Sequence, residues 1–324
     1  MTTRRQLLAA SLGLAGSGFI QQAHALDLPG LSGNTPLRLI LGFPPAGAVD
    51  TVARILAPSL AAALSRPVVV ENMPGANGVL ALRRVADPGG DPSRLYFATS
   101  SVAEVASTGS ADSKLLATLR PVTVTSTLPM VLVVRSSLGV KDAAGFLARL
   151  KASPEMSYGS AGVGNGTHLC AADLVERLSA KATHIPYQGS HPAMLDLAGG
   201  HIDFATVGAV ALMTPNPRIT PIAVTTATRS SLEHLKDLPT VSESMVSGFE
   251  HSLWQSVFAP PSWDATQVNA LYAAFKTALS QDSVRQALSK FSTEVVASSP
   301  AVVSQWIARE ANLHKRINSG SKVA

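Results

Sequence analysis

Leu37-Arg38-Leu39-Ile40-Leu41-Gly42-Phe43-Pro44-Pro45-Ala46-Gly47-Ala48-Val49-Asp50 is a short aliphatic run, a turn stiffened by two prolines, and the opening of a helix-spaced segment that continues to Leu64. The aliphatic run has the length of a buried strand, and the Gly/Pro cluster punctuates it. The alternation recurs at once in Val68 to Val70, Gly78 to Val85 and Leu95 to Thr99. Strands alternating with helices predict an α/β fold, with a parallel sheet covered on both faces. A second series runs through Met130 to Val134, Ala143 to Lys151, Thr167 to Leu178, His184 to Tyr187, His191 to Leu197, Ile202 to Thr206 and Ile222 to Thr226. The C-terminal stretches Gln267 to Ser280, Asp282 to Phe291 and Pro300 to Ile317 have apolar residues at helical spacing, with Ser299-Pro300 as a helix start.

Two α/β units of similar size suit a chain of 324 residues, which exceeds what one core usually serves. Short polar residues between Thr123 and Leu128, and an apolar strand ending in Pro260-Pro261, read as two crossings between lobes. On that reading residues 26–125 and 254–324 form lobe 1, residues 126–253 form lobe 2, and a cleft lies between them. Ligands of open α/β sheets bind at the carboxyl ends of strands where strand order reverses.

The first residues set the compartment. Arg4 and Arg5 precede an uncharged run from Gln6 to Ala23, which ends in Ala23-His24-Ala25. A basic region, a short apolar region and a small-x-small site make a cleaved signal over residues 1–25, so the expectation is export to the periplasm by the Sec or twin-arginine route. Without Arg4 and Arg5 the formal charge of +5 becomes +3, spread along the chain. Such a spread excludes a nucleic-acid patch and mildly favours anionic ligands. Cys170 is the single cysteine, so no internal disulfide forms, and its apolar neighbours predict a small buried hydrophobe.

Two loops are suited to anion binding. In the first, Ala46, Gly47 and Ala48 offer backbone N–H groups at a helix start, where the dipole adds roughly 0.3 to 2 kcal/mol for an anion. Asp50 either faces that site or secures the first turn, and a purely structural strand-to-helix turn would use the same residues. The second loop, Tyr158-Gly159-Ser160-Ala161-Gly162-Val163-Gly164-Asn165-Gly166-Thr167-His168-Leu169, leaves backbone accessible through four glycines. It lacks the third glycine of a dinucleotide fingerprint, the Gly-Lys-Ser/Thr of a P-loop and the first glycine of a Gly-x-Ser-x-Gly elbow. Thr167 caps the following helix or faces the cleft, and His168 packs beneath the loop or touches a ligand.

These segments, with Pro67 to Gly78, His184 to Gly189, Asp196 to Asp203, Ala223 to Thr225 and Leu238 to Glu243, stand in the order and spacing of one family. The chain resembles the Bug-type periplasmic solute-binding proteins, receptors of tripartite tricarboxylate transporters, over almost its whole mature length. The resemblance implies a type II periplasmic binding protein fold, two α/β lobes joined by two crossing strands, without catalysis, cofactor or metal. It implies a small carboxylate ligand, either a di- or tricarboxylate, an amino acid or an aromatic acid. Membrane subunits of the transporter, or alternatively a sensor kinase, would be the partners of a monomeric receptor. Carried over by motif, the ligand residues are Phe43, Pro45, Ala46, Gly47, Ala48 and Asp50 on one side. Ser160, Gly162, Gly164, Thr167 and His168 stand opposite, with Tyr187 as cleft wall and Gly208 at the far end.

The departures are as informative. Ala46 stiffens the first loop, Met73 stands where an arginine is usual, and Ala103 to Leu119 lacks the usual Tyr-Asp-Pro run. Thr206-Val207-Gly208-Ala209 replaces an Asp or Asn that would face the ligand, so the distal pocket is expected to be less polar. A periplasmic hydrolase is the remaining alternative. The eight histidines form no His-x-x-x-His pair, and His184 and His191 read as strand-end or surface residues.

Overall fold

The computed structural model describes Leu31, residues 34–45 and residues 47–320. The signal segment and Ala46 lie outside the described residues. Strands β1 (Leu37–Leu41), β2 (Val68–Asn72) and β3 (Arg94–Thr99) are joined by helices α1 (Ala48–Leu64) and α2 (Val79–Ala86). Helices α3 (Ser101–Ser107) and α4 (Ala111–Thr118) lead into β4 (Arg120–Arg135), and the chain then builds α5 (Ala143–Ala152), β5 (Ser157–Ser160) and α6 (Gly166–Arg177). Next come β6 (Thr183–Pro186), α7 (Ser190–Gly199), β7 (Phe204–Gly208), β8 (Ile219–Val224) and a one-turn α8 (Val241–Ser244). The return strand β9 (Ser252–Ala259) precedes α9 (Ala265–Ser280), α10 (Asp282–Ser289), β10 (Glu294–Val295) and α11 (Pro300–Gly320). Among the described residues no helix is long and apolar enough to cross a membrane.

The strands run β2-β1-β3-β9-β4-β7-β5-β6, with β8 and β10 also on β4. β1 lies parallel between β2 and β3, and β5 lies parallel between β6 and β7. Each half therefore reverses strand order beside its first strand, and the β1–α1 and β5–α6 loops leave from the carboxyl ends at those reversals. The 16-residue β4 pairs with β9 from Arg120 to Pro129 and with β7 and β8 from Met130 to Arg135. β4 and β9 are thus the two strands that link the halves, and β4 changes sheet at Pro129. Folds of this kind carry the type II periplasmic binding topology, two lobes with a cleft between them.

Side chains alternate as a doubly covered sheet requires. Leu37, Leu39 and Leu41 face one core with Val52, Leu56 and Phe275, while Ile40 faces the other with Leu82 and Tyr96. In the second half Met130, Leu132 and Val134 face Phe146 and Phe204, and Val131 and Val133 face Leu197 and Ile202. Cys170 is fully buried in that third group, and burial pushes its thiol far up. Helices α3 and α4 were not legible in their Ser/Thr/Gly-rich stretch. Helix α11 packs on α3 and β4, with Val303 in the core of Tyr96 and Phe258, and its last turns also reach α6, where Leu313 and Ile317 meet Leu169 and Arg316 pairs with Asp173 and Glu176.

Candidate functional site

Both loops singled out in the sequence open onto one cavity of about 440 Å³. Phe43, Pro44, Pro45, Gly47, Ala48 and Val49 line it from the β1–α1 loop, and Gly164, Asn165, Gly166 and Leu169 from the start of α6. Leu128 on β4 and Leu253 and Gln255 on β9 form its floor. The remaining wall comes from Asn77, Thr99, Ser100, Ser101 and Glu104, and from Glu310 and His314 on α11.

The first loop is held from behind. Asn72 donates through Nδ2 to the Phe43 carbonyl at 3.1 Å and to Asp50 Oδ1 at 2.9 Å, and Arg54 Nε donates to Asp50 Oδ2 at 2.9 Å. Asp50 is 3% exposed and does not line the cavity, so its carboxylate fastens the turn to β2. Gly42 lies so close to the 75–78 turn that a Cβ on it would stand 2.3 Å from Gly78 Cα. Gly47 forms an extended N-cap with no side-chain capping bond, which leaves the positive end of α1 turned to the cavity.

The second loop consumes most of its own polar groups. Thr167 Oγ1 accepts from the Ala161 N–H at 2.9 Å and donates to Asn165 Oδ1 at 3.1 Å, and its carbonyl accepts from Thr206 Oγ1 at 2.6 Å. The Gly164 N–H donates to His168 Nδ1 at 3.1 Å, which fixes that nitrogen as the acceptor. Ser160 Oγ lies 2.7 Å from His184 Nε2 and donates to the Gly162 carbonyl. Ser160, Gly162, Thr167 and His168 therefore shape the loop from beneath and do not line the cavity. What the loop offers an anion is the start of α6, with the Ala161 and Gly164 N–H groups already used and the Thr167 N–H capped by Asn165 Oδ1 at 3.0 Å. Thr167→Val removes two hydrogen bonds of about 1 kcal/mol each. We expect it to lower the melting temperature by roughly 4 to 6 °C in thermal denaturation, and an unchanged melting temperature would contradict this role.

Tyr187 and Gly208 also lie behind the site. Tyr187 packs against the Leu197 core and donates to Asp196 Oδ2 at 2.7 Å. A Cβ on Gly208 would meet Leu128 Cδ2 at 3.1 Å, so this glycine lets the floor leucines sit down on β7. All of β7 is buried, and Thr206 to Ala209, expected to form the distal pocket, do not border this cavity among the described residues.

His184, read from sequence as a strand-end or surface residue, stacks on His168 with ring centroids 4.0 Å apart and on Tyr158 at 5.0 Å. Burial, then the nearby His168, pushes His184 down to about 4, and the same two causes bring His314 down to about 4. Between pH 6.5 and 4 the unfolded chain takes up two protons here that the folded chain refuses, so stability falls as pH drops through that window. Glu310, raised to about 7 chiefly by burial, works the other way with one proton between pH 4.5 and 7. The net expectation is a melting temperature several degrees lower at pH 4.5 than at pH 7, with His184→Phe flattening the slope. A pH-independent melting temperature would contradict the buried neutral pair.

The wall beside the start of α6 is acidic. Glu104 Oε2 accepts from Asn77 Nδ2 at 2.9 Å, and Oε1 stands 3.3 Å from where a Cβ on Gly164 would be. Burial raises the Glu104 carboxyl and the Asn77 hydrogen bond partly offsets this. Glu310 Oε1 accepts from the Trp254 indole at 2.5 Å. Among the described residues no Lys or Arg lines the cavity. Glu104, Glu310 and His314 were missed in the sequence. The one available signal was the four-residue spacing of Glu310 and His314, which puts both on one face of a helix. Among the described residues no group of three His, Cys, Asp or Glu could hold a metal ion.

Residues 52–321 match the model of the tripartite tricarboxylate transporter family receptor. Protein BugT of Bordetella pertussis (strain Tohama I) is 29% identical over 316 residues, covering 96% of this chain and 95% of its own. Rpa4515 of R. palustris, solved with adipate, is 26% identical with a TM-score of 0.71 and covers 92% of this chain and 99% of its own. MatC from Rhodopseudomonas palustris, solved with bound malate, is 25% identical with a TM-score of 0.66, covering 87% and 99%. A family match over most of the chain, with the same two-lobed fold in solute-binding relatives, agrees with the cleft built here, and the chain belongs to the tripartite tricarboxylate transporter receptor family, the Bug-type solute-binding proteins.

Proposed function

We propose that this chain is a periplasmic receptor that captures a small carboxylate between residues 26–125 with 254–324 as lobe 1 and residues 126–253 as lobe 2. The observation that carries the reading is that the starts of α1 and α6, one from each half, open onto a single cavity. Two positive helix ends converging on one space suit an anionic group, and contacts made from both sides favour the closed arrangement. The malate and adipate of MatC and Rpa4515 support the same ligand class. Of the residues proposed from sequence, Phe43, Pro45, Gly47, Ala48 and Gly164 face the ligand in this reading, and Ala46 lies between them in the loop. Ser160, Gly162, Thr167, His168, Tyr187, Gly208 and Asp50 hold those residues in place.

Export uses the signal of residues 1–25, cleaved near Ala25. The receptor works as a monomer and delivers its solute to the membrane subunits of a tripartite transporter; it binds and does not catalyse. Mass spectrometry of small molecules released from natively purified protein is expected to find a carboxylic acid in stoichiometric amount. Release of a neutral solute instead would overturn the reading.

A further inference from the structure

The floor of the cavity carries a donor that the protein leaves unused. Leu253 and Gln255, two residues apart on β9, face the same way, and both line the cavity. Gln255 is 4% exposed and sits between Thr99 of β3 and Ser126 of β4. Ser126 Oγ donates to its Oε1 at 2.5 Å, which commits the oxygen end of the amide to β4. The Nε2 end has no hydrogen-bond partner among the described residues, and the cavity is the open space that the side chain borders. The opposite orientation would turn an oxygen toward a lining that already holds Glu104 and Glu310, so electrostatics favours the nitrogen outward. A buried amide whose two N–H groups go unmet costs stability unless a bound group accepts from them.

The start of α6 stands directly on this floor: a Cβ on Gly166 would lie 2.6 Å from Leu253 Cδ2. Along β9 the next residue on that face is Gln255, about 7 Å further on, a span within the length of a small acid. Resting on the carboxylate reading above, we propose that Gln255 is a specificity-determining contact of the receptor, its Nε2 donating to an oxygen of the bound acid from a strand that links the two lobes. Among the described residues no Lys or Arg lines the cavity, so uncharged donors carry the recognition, and this one is held in register by β3 and β4. The contact comes from the floor and adds to those of the helix starts in the two halves.

The test is calorimetric titration of the mature chain with succinate, malate, glutarate, adipate, citrate and benzoate, and then of three variants with the tightest-binding acid. Gln255→Met removes the donor at similar volume and is expected to weaken that acid about ten-fold. Gln255→Glu keeps an acceptor for Ser126 but turns a charged oxygen to the cavity. It is expected to weaken the acid about 100-fold at about pH 8, the ratio to wild type shrinking toward about pH 5.5 as the new carboxyl takes up a proton. Glu104, Glu310 and His314 are common to both proteins in that ratio. Ser126→Ala removes the bond to β4 and leaves the amide, and is expected to bind within about three-fold of wild type. Unchanged affinity in Gln255→Met, Gln255→Glu binding as well as Gln255→Met, or Ser126→Ala losing as much as Gln255→Met overturns the contact and leaves the carboxylate grip standing. If none of the six acids binds the wild-type chain, the carboxylate grip falls and the Gln255 contact with it.

Discussion

Asp173→Ala is expected to destabilise the protein by about 3 kcal/mol, a fall of roughly 4 to 6 °C in melting temperature. The side chain is 1% exposed on α6 and is surrounded by His251 at 2.9 Å, Arg177 at 3.1 Å and Arg316. Burial alone would raise its carboxyl, but the hydrogen bond and charge of His251, with Arg177 and Arg316, outweigh that and hold it below the ordinary value. Its contribution is therefore present at neutral pH and is lost as pH falls through that lowered value. These partners come from α6, from the segment before β9 and from α11, so one carboxylate ties the second half to the C-terminal helix. Arg316→Ala should cost less than about 1 kcal/mol, because its guanidinium is half-exposed and two other partners remain. Thermal denaturation of the two variants checks this; equal losses would mean that Asp173 is not the hub.

Gly42→Val is expected to abolish solute binding and to cost about 2 to 3 kcal/mol of stability. A Cβ at position 42 meets the Gly78 main chain, at 2.3 Å from Cα and 3.2 Å from both C and O, and a main chain cannot rotate out of the way. Either β1 or the 75–78 turn must move. Phe43, Pro44, Pro45, Gly47, Ala48, Val49 and Asn77 line the cavity and lie within a few residues of the clash, so displacement reaches the site directly. A valine variant that binds with unchanged affinity in calorimetry would show that the first loop is not positioned by this contact.

Much of the architecture was written in local pattern. The alternation of Leu37 to Leu41 with Val49 to Leu64, and its repeat through the second half, reported strands and helices because core burial enforces period 2 and period 3.6. The two glycine-bearing loops were visible as strand-to-helix turns, and both border the cavity. Their roles were less legible, because sequence names a polar group without saying where it is spent. Thr167 and His168 turned out to satisfy the N–H groups of Ala161 and Gly164, and Asp50 to bind Asn72 and Arg54. The acidic wall was illegible for a different reason. Glu104, Glu310 and His314 border one cavity only after the chain has crossed twice on β4 and β9 and α11 has docked on α3 and α6. Thr206 to Gly208, which the family pattern suggested for the distal pocket, is buried in β7, where Val207 packs with Leu197 and Ile202 and Thr206 Oγ1 donates to the Thr167 carbonyl.

The central claim is a carboxylate held where the starts of α1 and α6 converge. A thermal-shift titration of a carboxylate library, each acid matched with its amide and methyl ester, tests it most directly. Concentration-dependent stabilisation by at least one acid, by RT ln(1 + [L]/Kd), is expected, and none by its neutral partners. Equal stabilisation by acid, amide and ester would contradict it.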